Sequence, residues 1–191
     1  MKSIMTIAVK LLIITLIAGA VLGVVYSVTK DPIAEQEIIR ADKARFTAFP
    51  QAESFEELTD NNAEQYDSIK TVHAALDDQG NKIGVTIAMV TKGYSNGLNL
   101  TVGIGSDGVV KGVALGSHQE TPGLGAKAGQ EDFIGQFAGN TIDVPLDVVK
   151  TAPSKQSDIE AISGATITSD AFTQAVNTAM AYYLETSGGT Q

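Results

Sequence analysis

The sequence predicts an α+β fold: a single N-terminal transmembrane helix, then one domain with a mainly antiparallel sheet flanked by helices. Three observations carry this. Residues 11–28 form an apolar run without a charge. Four strand-like segments follow one another between residues 69 and 115, separated by turns of Gly, Asn, Asp and Ser. Near the C-terminus, Phe172, Val176, Ala179, Met180 and Tyr183 recur at helical spacing. A chain of 191 residues suits one anchor and one domain of about 150 residues.

With Ile4, Met5, Ile7, Ala8 and Val9 ahead of Lys10, the first apolar run reaches the roughly 20 residues that a bilayer helix needs. Lys2 and Lys10 lie on its N-terminal side. Lys30 is alone on the other side and is followed by Asp31, Glu35 and Glu37. The excess of positive charge puts the N-terminus in the cytoplasm and the domain outside the cytoplasmic membrane. Ala18-Gly19-Ala20 fits a signal-peptidase pattern, but eight more uncharged residues follow it, which a cleaved peptide does not need. A pilin-type apolar helix would carry a Glu just inside; this run holds no acid.

Asp31-Pro32 has the form of a helix start, an N-cap type followed by Pro at the first helical position. The helix is expected to restart there and run to about Ala48, before Pro50. Residues 51–66 are acidic and polar, and read as a solvated surface connection with a single helical turn. Next come two hairpins: residues 69–76 with 83–90, and 98–104 with 109–115. A Gly-bounded loop, Gly93-Tyr94-Ser95-Asn96-Gly97, joins them. A short helix is expected over residues 131–138, and an edge strand broken by Pro145 over 141–149.

Composition excludes several classes. There is no Cys, so disulfide scaffolds, Cys-ligated iron–sulfur centres, Cys-rich zinc sites and thiol redox chemistry are out. If this protein moves electrons, an organic cofactor must carry them. The net charge is −9, and no acid precedes Asp31. An acidic domain does not suit nucleic acid as a partner. Gly123-x-Gly125 continues with Gly129, one residue too late for a dinucleotide fingerprint. No P-loop and no Gly-x-Ser-x-Gly elbow occurs. No acid/base, nucleophilic or metal-ligating constellation stands out. His73 reads as a strand residue; His118 reads either as a loop histidine or as a neighbour of a bound group. Lys150 and Lys155 read as solvated.

Two stretches remain. In Ser163-Gly164-Ala165-Thr166, small residues precede a hydroxyl, and Ser169 and Asp170 are N-cap types for the last helix. Thr166 is thus expected in a tight loop just before a helix N-terminus, where backbone N–H groups and the helix dipole suit a phosphate. An ordinary capped helix after a turn fits the same spacing. The second stretch, Glu120-Thr121-Pro122-Gly123-Leu124-Gly125, sets a Pro-Gly turn and allows close backbone approach at Gly125.

Together, in this order, these stretches and Gly93-Tyr94 resemble the FMN-binding domain of the G subunit of Rnf ion-translocating complexes, shared with the C subunit of the sodium-pumping NADH:quinone reductase. The likeness covers roughly residues 90–185, the single anchor and the chain length. It implies FMN carried covalently, through a phosphoester on Thr166 installed by a flavin transferase, with Thr168 as second choice. It implies that Glu120, Thr121, Gly123, Leu124 and Gly125 line the isoalloxazine, and that Ser163, Gly164 and Ala165 wrap the phosphate end. Glu160 stands where the family usually has Asp, three residues before Ser163; Asp158 lies two residues earlier. The implied organisation is a cytoplasmic N-terminus and anchor over 1–30, a connection over 31–66, the FMN-binding domain over 67–186 and a flexible tail over 187–191. The implied role is an electron relay among other Rnf-type membrane subunits that couple ferredoxin oxidation and NAD+ reduction to Na+ or H+ movement, not independent catalysis. The alternatives are a C-type member of a sodium-pumping quinone reductase, a cofactor-free anchored binding or scaffold module, and a free-standing flavin enzyme.

Overall fold

In the computed structural model, residues 2–59 and 65–187 are described. The chain divides into two compact units, Met1–Arg40 and Ala41–Gln191. Residues 2–40 of the first belong to helix α1, Lys2–Ala48. Leu12, Leu16, Leu22 and Val24 are exposed on it, so its uncharged stretch, residues 11–28, is apolar all round, as a membrane span is. Among the described residues it is the one helix long and apolar enough to cross a membrane.

The expected restart at Pro32 does not occur; Pro32 sits inside a continuous helix. A proline removes one i→i−4 bond and crowds the carbonyl four residues back. The helix absorbs this because good formers (Ala34, Glu35, Gln36, Glu37) follow at once.

The second unit is built on an antiparallel meander of five strands in sequence order: β1 (Ser54–Leu58), β2 (Ile69–Leu76), β3 (Lys82–Thr91), β4 (Leu98–Gly105) and β5 (Val110–Leu115). The four strands expected from the two hairpins are present. β1 corrects the reading of residues 51–66 as a polar connection. Its sequence, Ser-Phe-Glu-Glu-Leu, hides the strand because it is an edge, with both Glu56 and Glu57 exposed; charged edge strands are how sheets avoid further pairing. Residues 60–64, with Asp60 and Glu64, lie outside the described residues, as do 188–191 of the expected tail; Ser187, its first residue, belongs to the last helix.

Register assigns the two faces of the sheet. Val72, Ile87, Val102 and Val113 stand opposite one another across β2 to β5 and belong to the main buried core. Helix α3 (Thr166–Ser187) packs on this face through Phe172, Val176, Ala179 and Met180, each burial worth about 1.5–3 kcal/mol for the large side chains. Tyr182, rather than the expected Tyr183, is the deeply buried tyrosine. Phe172 also meets Phe133 and Phe137, with ring centroids 5.5 and 5.3 Å away.

The opposite face carries the row Glu57, His73, Thr86, Gly103 and Gly112. The last turn of α1 lies on it. A Cβ on Gly103 would overlap the Ala48 carbonyl, and one on Gly112 would stand 3.0 Å from the same oxygen. The glycines let a helix end sit directly on sheet backbone. Phe49, just beyond, is 1% exposed among Ala52, Ala75, Phe55 and Ile83.

After β5 the chain forms a 3₁₀ turn, Gly125–Gly129, then a single turn of helix, α2 (Glu131–Ile134). The expected longer helix tightens into i→i−3 bonds from Gln136 to Phe133 and from Phe137 to Ile134, and the Asn140 amide caps the Gln136 and Phe137 carbonyls at 2.9 and 3.1 Å. The expected strand over 141–149 is reduced to β6 (Asp147–Val149), which pairs in parallel with β7 (Asp158–Glu160) outside the main sheet. Residues 141–144 turn back on themselves, Val144 N–H donating to Thr141 O at 3.5 Å, and Asn177 on α3 occupies Leu146: its side chain accepts from Leu146 N–H and donates to Leu146 C=O, both at 2.9 Å.

Candidate functional site

Two turns of the same kind build the site. In Thr121-Pro122-Gly123-Leu124, Leu124 N–H donates to Thr121 O at 3.1 Å, with Gly123 at φ +78°. In Ile162-Ser163-Gly164-Ala165, Ala165 N–H donates to Ile162 O at 2.9 Å, with Gly164 at φ +78°. Both put a glycine where the third turn residue needs a positive φ. The turns meet: a Cβ on Gly164 would stand 3.2 Å from a Leu124 methyl.

The second turn feeds directly into α3, whose first helical residue is Thr166. Thr166 therefore does not precede the helix, and Ser169 does not cap it. Ser169 is fully buried; its hydroxyl accepts from Ile162 N–H at 3.0 Å and donates to Ala165 O at 3.1 Å, locking the turn to the helix. The backbone N–H groups of the first helical turn lack intrahelical partners and carry the positive end of the dipole.

Between the turns opens a cavity of about 630 Å³, within the range of cofactor sites. Glu120, Thr121, Leu124 and Gly125 line one side, and Gly164, Ala165 and Thr166 the other. Tyr94, Ile167 and Thr168 complete it. Gly123 and Ser163 do not line it. Gly123 points into open space, and Ser163 faces a smaller cavity of about 320 Å³ with Lys127, Gln130, Gln136 and Glu160. Lys150 and Lys155 are exposed and take no part.

The two candidate hydroxyls differ sharply. Thr166 is half-buried on the cavity wall and, among the described residues, its side chain has no hydrogen-bond partner. Thr168 is 1% exposed and donates to Glu120 Oε2 at 2.7 Å. The other oxygen of Glu120 accepts from Ser95 N–H at 2.9 Å. Glu120 is thus a buried carboxylate that ties the Tyr94 loop to α3. Its slot is cut by two glycines: a Cβ on Gly93 would stand 2.5 Å from Glu120 Oε1, and one on Gly125 would overlap Oε2 and stand 2.7 Å from the Thr168 hydroxyl. His118 lies outside the cavity lining; its Nδ1 accepts from Glu120 N–H at 3.2 Å, orienting the backbone that carries the carboxylate.

Asp158, below the second turn, accepts from Ser154 N–H, Ser154 Oγ–H and Lys155 N–H through one oxygen, which holds its pKa below the ordinary carboxylate value. Glu160 is exposed, and its backbone N–H donates to Gln136 Oε1 at 2.6 Å.

Partly apolar, with the free backbone N–H groups of a helix N-terminus at one corner, this cavity has a lining that suits a phosphate-bearing cofactor. Cβ-free backbone at Gly125 and Gly164 supplies the close walls, and Leu124, Ile167 and Tyr94 the apolar ones. The family model of the FMN-binding domain matches residues 93–181, and the chain carries a domain of that class. It is 35% identical over 193 residues to the G subunit of the proton-translocating ferredoxin:NAD+ oxidoreductase complex of Clostridium ljungdahlii, covering 98% of this chain and 96% of that one. It is 32% identical to the G subunit of the Na+-translocating complex of Acetobacterium woodii, covering 91% and 88%. The chain belongs to the family of G subunits of the Rnf-type ion-translocating oxidoreductase complexes. In fold it resembles the crystal structure of the C subunit of the Na+-translocating NADH-quinone reductase of Parabacteroides distasonis, with TM-score 0.51 and 27% identity over 60% of each chain.

Proposed function

We propose that this protein is the membrane-anchored electron-transfer subunit of an Rnf-type ferredoxin:NAD+ oxidoreductase complex, and that it carries FMN through a phosphoester on Thr166. The observation that carries the site assignment is the contrast between the two hydroxyls: Thr166 is free on the cavity wall, while Thr168 is buried and committed to Glu120. A flavin transferase would join Thr166 Oγ to the flavin phosphorus of an activated flavin phosphoanhydride, which loses its leaving phosphate as the hydroxyl proton passes to solvent. The net addition is FMN minus water.

The residues have separable tasks. The first-turn N–H groups of α3 hold the phosphate with the helix dipole. Gly164 and Ala165 let it approach the backbone, and Ser163 shapes the turn from outside. Thr121, Leu124 and Gly125, with Tyr94 and Ile167, form the walls that keep water from the ring; Gly123 sets the turn that presents Leu124. Bound FMN supplies reversible uptake and release of electrons, which no side chain here offers. A covalent link prevents loss of the group outside the cytoplasm, since a tether turns binding into an intramolecular event. The orientation, N-terminus inside and flavin domain outside, rests on Lys2 and Lys10 ahead of the span and Asp31, Glu35 and Glu37 behind it. Partners are the other membrane subunits, and coupling to Na+ or H+ belongs to the assembly.

The test is intact mass with in-gel ultraviolet fluorescence under denaturing conditions, on protein made beside a flavin transferase. The expected result is a fluorescent band heavier by FMN minus water, absent from Thr166→Ala and retained in Thr168→Ala. Label that persists in Thr166→Ala and vanishes in Thr168→Ala moves the tether to Thr168. No adduct in the wild type favours a cofactor-free anchored module.

A further inference from the structure

Glu120 is 5% exposed, and it is the one acid or base, tyrosine aside, in the lining of the cavity. Among the described residues no cation lies within ion-pair distance of it; the two ion pairs are Arg45–Asp42 and Lys111–Asp107. Its partners are neutral donors, one on each oxygen: Ser95 N–H and Thr168 Oγ–H. Both oxygens therefore have a hydrogen-bond donor, and the N-terminal turn of α3 lines the same cavity. A buried charge without a counter-charge acts strongly across a low-dielectric cavity.

We infer that the Glu120 carboxylate sets the reduction potential of the group held in this cavity, lowering it through its uncompensated negative charge. The inference rests on the flavin reading above. Each electron added to a flavin beside a fixed anion is opposed by that anion, so the oxidised form is favoured. The pull of the helix dipole on the same cavity acts in the other direction, and replacing Glu120 alone separates the two.

The experiment is spectroelectrochemical titration of flavin-loaded full-length protein in detergent, at fixed pH and ionic strength. The electrons come from the poised electrode through mediator dyes, and protons from the buffer. Glu120→Gln keeps the shape, and the Thr168 hydroxyl can turn to accept from the new amide. Its midpoint is expected to move to more positive potential. Glu120→Asp keeps the charge and is expected to stay near wild type. Equal midpoints for wild type and Glu120→Gln, or a shift of the same size in Glu120→Asp, would overturn the inference while leaving the flavin reading intact. A wild type that carries no flavin overturns that reading and this inference together. If Glu120→Gln does not accumulate as folded protein, Glu120→Met is titrated in its place, with the same sign expected and an unshifted midpoint counting against.

Discussion

Thr168 and Glu120 lie 48 residues apart in sequence and are joined by a hydrogen bond of 2.7 Å in the buried wall of the cavity. The bond ties the first turn of α3 to the Pro-Gly loop, and it is charge-assisted. Removing the donor leaves a buried carboxylate oxygen without its partner. Thr168→Val, which keeps the shape, is expected to cost about 1.5–3 kcal/mol. Thr166→Ala removes a free hydroxyl and is expected to stay within about 0.5 kcal/mol of wild type. Urea unfolding of flavin-free full-length protein in detergent, followed by far-ultraviolet circular dichroism, compares the two; equal losses would refute the contrast.

The opposite face of the sheet makes a separate prediction. Gly103 lies under the Ala48 carbonyl with no room for a methyl group, and that carbonyl is backbone, so it cannot rotate away. Gly103→Ala is expected to cost at least about 1–3 kcal/mol by forcing the end of α1 off the sheet. Gly112→Ala, at 3.0 Å from the same oxygen, should cost less. A Gly103→Ala protein with unchanged unfolding midpoint would mean that α1 does not close on the sheet in this way.

His73 stands in the same row, between Glu57 and Thr86. Burial, then the Arg45 guanidinium, hold its pKa below the ordinary value, against weaker opposing pulls from Glu57 and Asp42. The unfolded chain therefore binds the extra proton more readily. Stability from this group is present above about pH 6.5 and is lost as pH falls from there through the depressed folded value, with a slope of at most about 1.4 kcal/mol per pH unit. His73→Gln should flatten this part of the pH–stability profile. Asp77, Asp107 and Asp158, whose pKa values are also held down, act only in more acid solution. A profile unchanged by His73→Gln would count against the assignment.

Much of the fold is legible because its signals are local. The apolar run, the two hairpins and the α3 stripe are periodic patterns that one window of sequence contains. Thr121-Pro122-Gly123-Leu124 and Ile162-Ser163-Gly164-Ala165 are turn chemistry written in adjacent residues. What stays hidden is non-local. β1 reads as an acidic connection until β2 is beside it. Pro32 marks a helix start in isolation, yet the helix runs through it. In residues 141–149, Leu146 is bound by the side chain of Asn177, 31 residues away, and not by a neighbouring strand. Ser169 is an N-cap type and so reads as the start of α3, three residues late, but its hydroxyl is spent inside the turn. Within the site, Tyr94 is visible as an aromatic in a Gly-bounded loop. That Thr168 is committed to Glu120 is not visible, since no spacing encodes a contact 48 residues long.

Gly123 and Gly164 allow strain and contact to be measured apart. Both have φ +78°, so an alanine at either position meets the same backbone penalty, about 1–3 kcal/mol. Only their surroundings differ: nothing lies within 4 Å of a Cβ at Gly123, whereas one at Gly164 stands 3.2 Å from the Leu124 methyl. Gly164→Ala is therefore expected to lose more stability than Gly123→Ala, and the excess should be the cost of displacing Leu124. Leu124 is partly exposed and can be shortened without opening the core, so Leu124→Ala should remove that excess and leave the backbone term. In the double-mutant cycle, Gly164→Ala and Leu124→Ala are expected to cost less together than the sum of the two alone, while Gly123→Ala and Leu124→Ala should lack this relief by steric contact. Urea midpoints for the single and paired variants decide it. A strictly additive Gly164–Leu124 pair would mean that the two turns do not touch, and that the cavity between them is not shaped by their contact.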